Sequence, residues 1–259
     1  ITEDGTKINA WFVYQDTKGG SDDDIPYTML YFHGNAGNIG HRLENIRDMH
    51  RHLGVNVLIL DYRGYGDSED GPGPTEAGFS QDAMASFTWL LERARNPSVG
   101  RIRADRIIFF GRSIGGAVAV KLAAELLRQR RDKALFGSEP EKKDATELPL
   151  PVGLVLENTF TSLRDMAVQL FAFLKPLRFL LRSPLIFDEW NSVDSLTYLA
   201  SNHEHWCCCL FSGLQDQIVP PEQMKQIHTL LKGHRPKVLK CFQFPHGGHN
   251  DTPQRGGKD

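Results

Sequence analysis

Several things are scarce in this 259-residue sequence. It has four cysteines, Cys207, Cys208, Cys209 and Cys241, three of them adjacent and none in a CxxC pair, so neither a disulfide framework nor a zinc knuckle is expected and a reducing compartment fits best. No run of eighteen uncharged apolar residues occurs and no signal peptide opens the sequence, so the residues given contain no membrane span. Charge of one sign is missing too. With 30 Lys+Arg against 32 Asp+Glu the formal charge is −2, which removes the field that would draw the protein to nucleic acid. Neither a GxxxxGK[ST] loop nor a GxGxxG turn is present, which excludes a P-loop and a dinucleotide fingerprint. His50 with His52 and His203 with His205 lack a third ligand at matched spacing and read as solvated pairs. No metal and no cofactor is expected.

What is present is the composition of one globular domain over 1–259, 40% hydrophobic and 24% charged. Short apolar runs at 8–14, 27–32, 55–60, 106–110, 153–156, 207–211 and 238–244 alternate with helical stretches at 38–53, 75–95, 115–130 and 222–231. That alternation predicts an α/β fold with a mostly parallel sheet flanked by helices. Two segments interrupt it. Residues 128–151 are charged and proline-punctuated, which predicts a surface insertion, and 161–200 contain the apolar string LFAFLKPLRFLL at 170–181, either a core helix broken at Pro176 or a small helical lid over an apolar pocket. The cations Lys175, Arg178 and Arg182 beside that string would suit a membrane surface or a pocket wall equally. Both ends read as clipped. Asp4-Gly5 favours a hairpin turn whose first arm is almost absent, and 252–259 is polar and helix-poor, so part of one sheet face is expected to be uncovered and apolar.

The chemistry concentrates at Gly111-Arg112-Ser113-Ile114-Gly115-Gly116, a GxSxG string that ends a strand and opens a helix. A serine on such a turn projects from the carboxyl edge of the sheet, and the flanking glycines leave room for the neighbouring backbone. Serine needs a base and the base an orienting carboxylate. The carboxylate candidate is Asp216, in the loop after 207–211, with Glu157 as runner-up. The base is His249, in the loop after 238–244, with His246 its rival. Backbone N–H groups of Ile114 and of Asn35, or alternatively Ala36, in the glycine-rich turn HGNAGN would hold the oxyanion.

The blocks HGNAGNIGHR, DYRGYGDSEDGPGPTEAG, FGRSIGGAVA, ENTFTSLRDM, SGLQDQIVPP and HNDT stand in an order that resembles the bud-emergence-like α/β-hydrolases from about Asp4 to Thr252. The resemblance implies an α/β-hydrolase fold with Ser113 as nucleophile, Asp216 as acid and His249 as base, the roles reached above from position. It implies acyl esters, or acyl groups thioester-linked to protein cysteine, as substrates, so that the partner is an acyl-bearing small molecule or an acylated protein, cleaved through an acyl-enzyme. Serine peptidase activity and a non-catalytic interaction protein are the alternatives. Relatives commonly carry an amino-terminal membrane anchor ahead of this domain, which implies membrane association of the full-length protein. The DYRGYG block at 61–66 is read as structural. The insertion at about 131–150 has no counterpart in the family pattern, and His246 stands where a small polar or acidic residue is usual.

Overall fold

A computed structural model describes residues 1–16, 24–96, 102–136, 148–170, 188–203 and 206–256. The strands are β1 (Ala10–Val13), β2 (Thr28–Phe32), β3 (Asn56–Leu60), β4 (Ile107–Arg112), β5 (Gly153–Glu157), β6 (Cys207–Gly213) and β7 (Val238–Phe244). They form one sheet in the order β1-β3-β2-β4-β5-β6-β7. β1 runs antiparallel to β3 and the other pairs are parallel. The helices are α1 (Leu43–Asp48), preceded by a 3-10 turn at Ile39–Arg42 and followed by a π turn at Met49–Leu53, then α2 (Glu76–Ala94), α3 (Ile114–Phe136), α4 (Leu163–Leu170), α5 (Ser192–Asn202), α6 (Pro221–Gly233) and α7 (Thr252–Gly256).

The period of two along each strand sorts the core into two layers. Leu30, Phe32, Leu58, Leu60, Phe109, Leu154, Leu156, Cys208 and Leu210 face one way, into a continuous core with Phe79, Phe87 and Leu90 of α2, Val118 and Leu122 of α3, Leu196 and Leu199 of α5 and Ile227 of α6. Met29, Tyr31, Val57, Ile59 and Phe110 face the other, with Ile39 and Ile46. This second face is thinly covered toward β6 and β7 among the described residues. An open cavity of about 500 Å³ lies there, lined by Met29, Phe110, Val155, Phe211, Met49 and Leu53 among others, and Phe242 is 48% exposed.

Three boundaries differ from expectation. The segment 128–151 is not loop from its start, because α3 continues to Phe136. Its charged residues are good helix formers, and Glu125 ties Gln129 by a 3.1 Å hydrogen bond and Arg128 by a 3.7 Å ion pair one turn on. The lid assigned to 161–200 is too broad, since Leu196 and Leu199 of α5 are buried in the main core. Most of 170–181 lies outside the described residues. The tail beginning at Thr252 is helical through Gly256, started by the Thr252 Oγ1 hydrogen bond to Gly248 O (2.6 Å) and an Arg255–Asp251 ion pair of 2.5 Å across one turn.

Candidate active site

β4 ends at Arg112 and α3 begins at Ile114, so Ser113 alone makes the turn, at φ +55°. A non-glycine residue held there is strained, and two backbone hydrogen bonds hold it, Ser113 N–H to Glu157 O at 2.9 Å and Gly116 N–H to Ser113 O at 2.9 Å. The Thr159 hydroxyl adds a third, donating to Ser113 O at 2.7 Å. The glycines on either side are needed for close approach: a Cβ on Gly115 would strike Phe32 O, and one on Gly111 would strike Gly115 O. α3 therefore packs its first turn directly on the end of β2.

The loop after β2 lies against this elbow, where a Cβ on Gly34 would stand 3.3 Å from that of Ser113. Ala36 and Gly37 are both left-handed (φ +66° and +73°). The loop is braced from several sides. Arg42 Nη2 donates to Ala36 O at 2.9 Å, Ile39 N–H to Asp61 Oδ1 at 2.8 Å, and the Tyr65 hydroxyl to Asn35 Oδ1. The Tyr62 hydroxyl donates to His33 O at 3.2 Å while its ring stacks on Phe79 at 4.3 Å. Burial pushes the His33 imidazole below its ordinary value, with Nδ1 2.7 Å from Gly34 O. The DYRGYG block thus has the structural role expected of it. Arg63, 1% exposed, is fixed by Asp82 (2.8 Å) and Asp4 (2.7 Å), so that its neighbours Asp61, Tyr62 and Tyr65 stay against the loop. Ile114 is the first residue of α3, so its N–H has no intrahelical acceptor. Neither it nor Asn35 N–H has a backbone acceptor among the described residues.

Asp216 sits after β6 and His249 after β7, and the structure joins them: His249 Nδ1 is 2.7 Å from Asp216 Oδ2. The other carboxylate oxygen accepts from Ile218 N–H (2.8 Å) and Val219 N–H (2.9 Å), so the loop's own backbone aims the group. Glu157, the runner-up, is excluded from that position. As the last residue of β5 it follows Val155 on the thinly covered face and lines the cavity there. It is 1% exposed, and burial pushes its carboxyl above the ordinary value, opposed by the charge of Arg112. His246 is exposed and takes no part in the Asp216 contact.

Two residues around His249, Asn158 and Arg112, are not singled out as its partners by the sequence, which points to Glu157 only as the runner-up acid. Asn158, left-handed at φ +46°, donates from Nδ2 to Gly248 O (3.1 Å), His249 O (3.2 Å) and Thr252 Oγ1 (2.7 Å) and accepts from Gly213 N–H (2.8 Å). Arg112 donates from Nη2 and Nε to His249 O at 2.8 and 3.3 Å. Glu157 stands beside that guanidinium, Oε1 to Nε 3.6 Å. The signal available for Asn158 was its position, an asparagine ending a buried strand, where left-handed backbone favours Asn. Among the described residues no hydrogen bond joins Ser113 Oγ to the His249 ring.

Residues 25–173 match the protein family described as serine aminopeptidase, S33. The chain is similar to the Arabidopsis thaliana alpha/beta hydrolase domain-containing protein WAV2, 35% identical over 99% of this chain and 73% of that protein. It is 32% identical to the Saccharomyces cerevisiae protein YNL320W, described as an uncharacterized membrane protein, over 97% of this chain and 72% of the other. Similarity extends to the Danio rerio lysophosphatidylserine lipase ABHD12, 27% identical over 82% of this chain and 50% of the other. Among solved structures the Pyrococcus furiosus esterase PF2001 superposes with a TM-score of 0.62 at 18% identity, covering 98% of this chain and 81% of that one. No described helix is long and apolar enough to cross a membrane.

Proposed function

The chain belongs to the α/β-hydrolase family, and from that premise we propose that it is a serine hydrolase cleaving acyl esters or thioesters, protein S-acyl groups among them. Ser113 Oγ attacks the acyl carbonyl while His249 takes its proton. Asp216 keeps the imidazole in the tautomer with hydrogen on Nδ1, so that Nε2 is the basic nitrogen. The N–H groups of Ile114 and Asn35 hold the oxyanion of the tetrahedral intermediate. Its collapse returns the proton from His249 to the leaving alcohol or thiol. Water, deprotonated by His249, then attacks the acyl-enzyme and releases the acid with Ser113 restored.

The observation that carries this reading is the 2.7 Å His249–Asp216 contact, formed by loops that leave the same sheet edge as the Ser113 elbow. A peptidase reading draws on the description of the matched family, but an aminopeptidase needs an acid free to receive an amino terminus. Two acids near the end of the 161–200 segment's undescribed part are engaged: Asp188 Oδ1 accepts from Glu76 N–H at 3.0 Å, and Glu189 pairs with Arg164. Association with a membrane is part of the proposal and rests on the similarity to a protein described as a membrane protein.

The test is labelling by a fluorophosphonate followed by turnover of acyl esters, acyl thioesters and an aminoacyl amide. Wild type is expected to be labelled and to turn over ester and thioester, and Ser113→Ala to do neither. Equal labelling of both proteins overturns the mechanism, and faster turnover of the amide overturns the substrate class.

A further inference from the structure

Arg112 is the residue before the nucleophile, a place where acyl transfer itself asks for no charge. Its side chain is nonetheless 2% exposed, and a guanidinium is taken out of water only where it has strong partners. Its short polar contact is to a main-chain oxygen and not to a carboxylate. Nη2 lies 2.8 Å and Nε 3.3 Å from the main-chain oxygen of His249, 137 residues away in sequence. Glu157 is directly opposite Arg112 in the β4–β5 ladder and supplies the counter-charge at 3.6 Å, longer than a well-formed ion-pair hydrogen bond. If the pair existed to join β4 to β5, the short contact would fall between the two side chains. Those strands are already joined by a ladder of five residue pairs.

The two ends of the base are held differently. Asp216 fixes the ring at Nδ1, which sets tautomer and tilt. The main chain of His249 is fixed by Arg112, with Asn158 Nδ2 donating to the same oxygen at 3.2 Å. Ser113 and Arg112 are consecutive, so whatever is bound to the Arg112 side chain is referenced to the nucleophile's own backbone. Ser113 N–H in turn bonds Glu157 O at 2.9 Å, which closes a loop of contacts through Ser113, Arg112, His249, Asn158 and Glu157.

We infer that Arg112 is a positioning residue for the base: its guanidinium holds the His249 main chain at a fixed distance from Ser113, and Glu157 is the buried counter-charge that keeps the guanidinium aimed. This rests on the reading of Ser113, His249 and Asp216 as a triad. Burial raises the Glu157 carboxyl, and the charge of Arg112, the next largest influence, opposes that shift.

Removing one member of a buried pair leaves an unpaired charge and destabilises, whereas replacing both by apolar residues is often neutral. The decisive variant is therefore the double substitution Arg112→Met with Glu157→Leu, compared with each single substitution and with Arg112→Lys. Thermal midpoint, kcat and KM on an acyl ester, and the fluorophosphonate labelling rate are measured for each. The singles are expected to lose stability and turnover together. The double is expected to regain the wild-type midpoint while kcat stays about 100-fold down, the scale of a misplacement near one ångström, with KM within about threefold of wild type because no group touching substrate has changed. Arg112→Lys keeps the charge but not the forked donors and is expected to lose about tenfold in kcat, a loss set by the same misplacement, at a near-wild-type midpoint. A double variant with wild-type stability and wild-type kcat overturns the inference. Should the double fail to fold, Arg112→Lys decides alone, and unchanged kcat there overturns it. Ser113→Ala in the same series separates the two readings. Turnover surviving in that variant overturns the triad, whereas its loss alongside full turnover in the double variant overturns only the role of Arg112.

Discussion

Asp216→Asn isolates what the carboxylate does for the base. In the native site Oδ1 accepts from Ile218 and Val219 N–H at 2.8 and 2.9 Å, and Oδ2 lies 2.7 Å from His249 Nδ1. An asparagine can leave its oxygen toward the two backbone donors, so the loop keeps its shape. Its amide nitrogen then faces Nδ1 and can only donate, which obliges Nδ1 to accept and moves the imidazole hydrogen to Nε2, the nitrogen that must take the Ser113 proton. Loss of the correct tautomer with geometry intact costs about 10⁴-fold in kcat in a triad of this type, or roughly 5 kcal/mol of transition-state stabilisation. Stability should change little, because both bonds to Oδ1 persist. Ester turnover gives the rate, a thermal melt the stability, and nitrogen-15 chemical shifts of the His249 ring the tautomer. A variant within about tenfold of wild type, or a native tautomer at lowered rate, refutes the reasoning.

Other outcomes follow from neighbouring geometry. Gly115→Ala places a methyl group against Phe32 O and, at 2.6 Å, His33 O; about 3 kcal/mol of overpacking should lower Tm by roughly 6–12 °C and reduce labelling of Ser113, and an unchanged melt argues against the packing described. Asn158→Asp replaces the amide donor facing Gly248 O and His249 O with an oxygen that repels both carbonyls; about 3 kcal/mol of lost stability, read by denaturant titration, should accompany a fall in turnover. The Arg63 guanidinium, and then the Thr2 hydroxyl, hold the Asp4 carboxyl below the ordinary carboxylate range. Its contribution is complete above the unfolded value near pH ~4 and is lost as pH falls below it. Tm measured from neutral to acid pH should thus fall more steeply in wild type than in Asp4→Asn, and parallel curves would count against the pair.

The strands were legible because both faces of the sheet bury apolar side chains, which leaves continuous runs such as 27–32 and 55–60 in the sequence. The elbow was legible because GxSxGG between a strand and a helix admits few other uses, and Asp216 and His249 because each follows a strand at one sheet edge. Arg112 and Asn158 were not, since a polar residue ending a strand looks alike whether it meets water or a loop 137 or 91 residues away. Glu157 stands as runner-up acid in the sequence for a related reason. Only the pleat decides whether the last side chain of a strand points out of the edge or across a face, and here it follows Val155. The charged stretch after Arg130 shows in the sequence the polarity of a surface insertion, whereas the helix propensity of the same residues carries α3 on to Phe136.

Among the described residues β7 is an edge strand of the sheet, with Val238 40% and Phe242 48% exposed, yet the loop after it carries His249, whereas the Ser113 elbow stands on the central strand β4. The two halves of the proposed reaction therefore ride on parts of the sheet with different protection against opening. Amide hydrogens of β7 should exchange ahead of those of β4, and on heating, hydrolysis should stop while most of the sheet is still closed. A molecule laid against that edge should then raise the temperature at which hydrolysis stops, without any contact at Ser113.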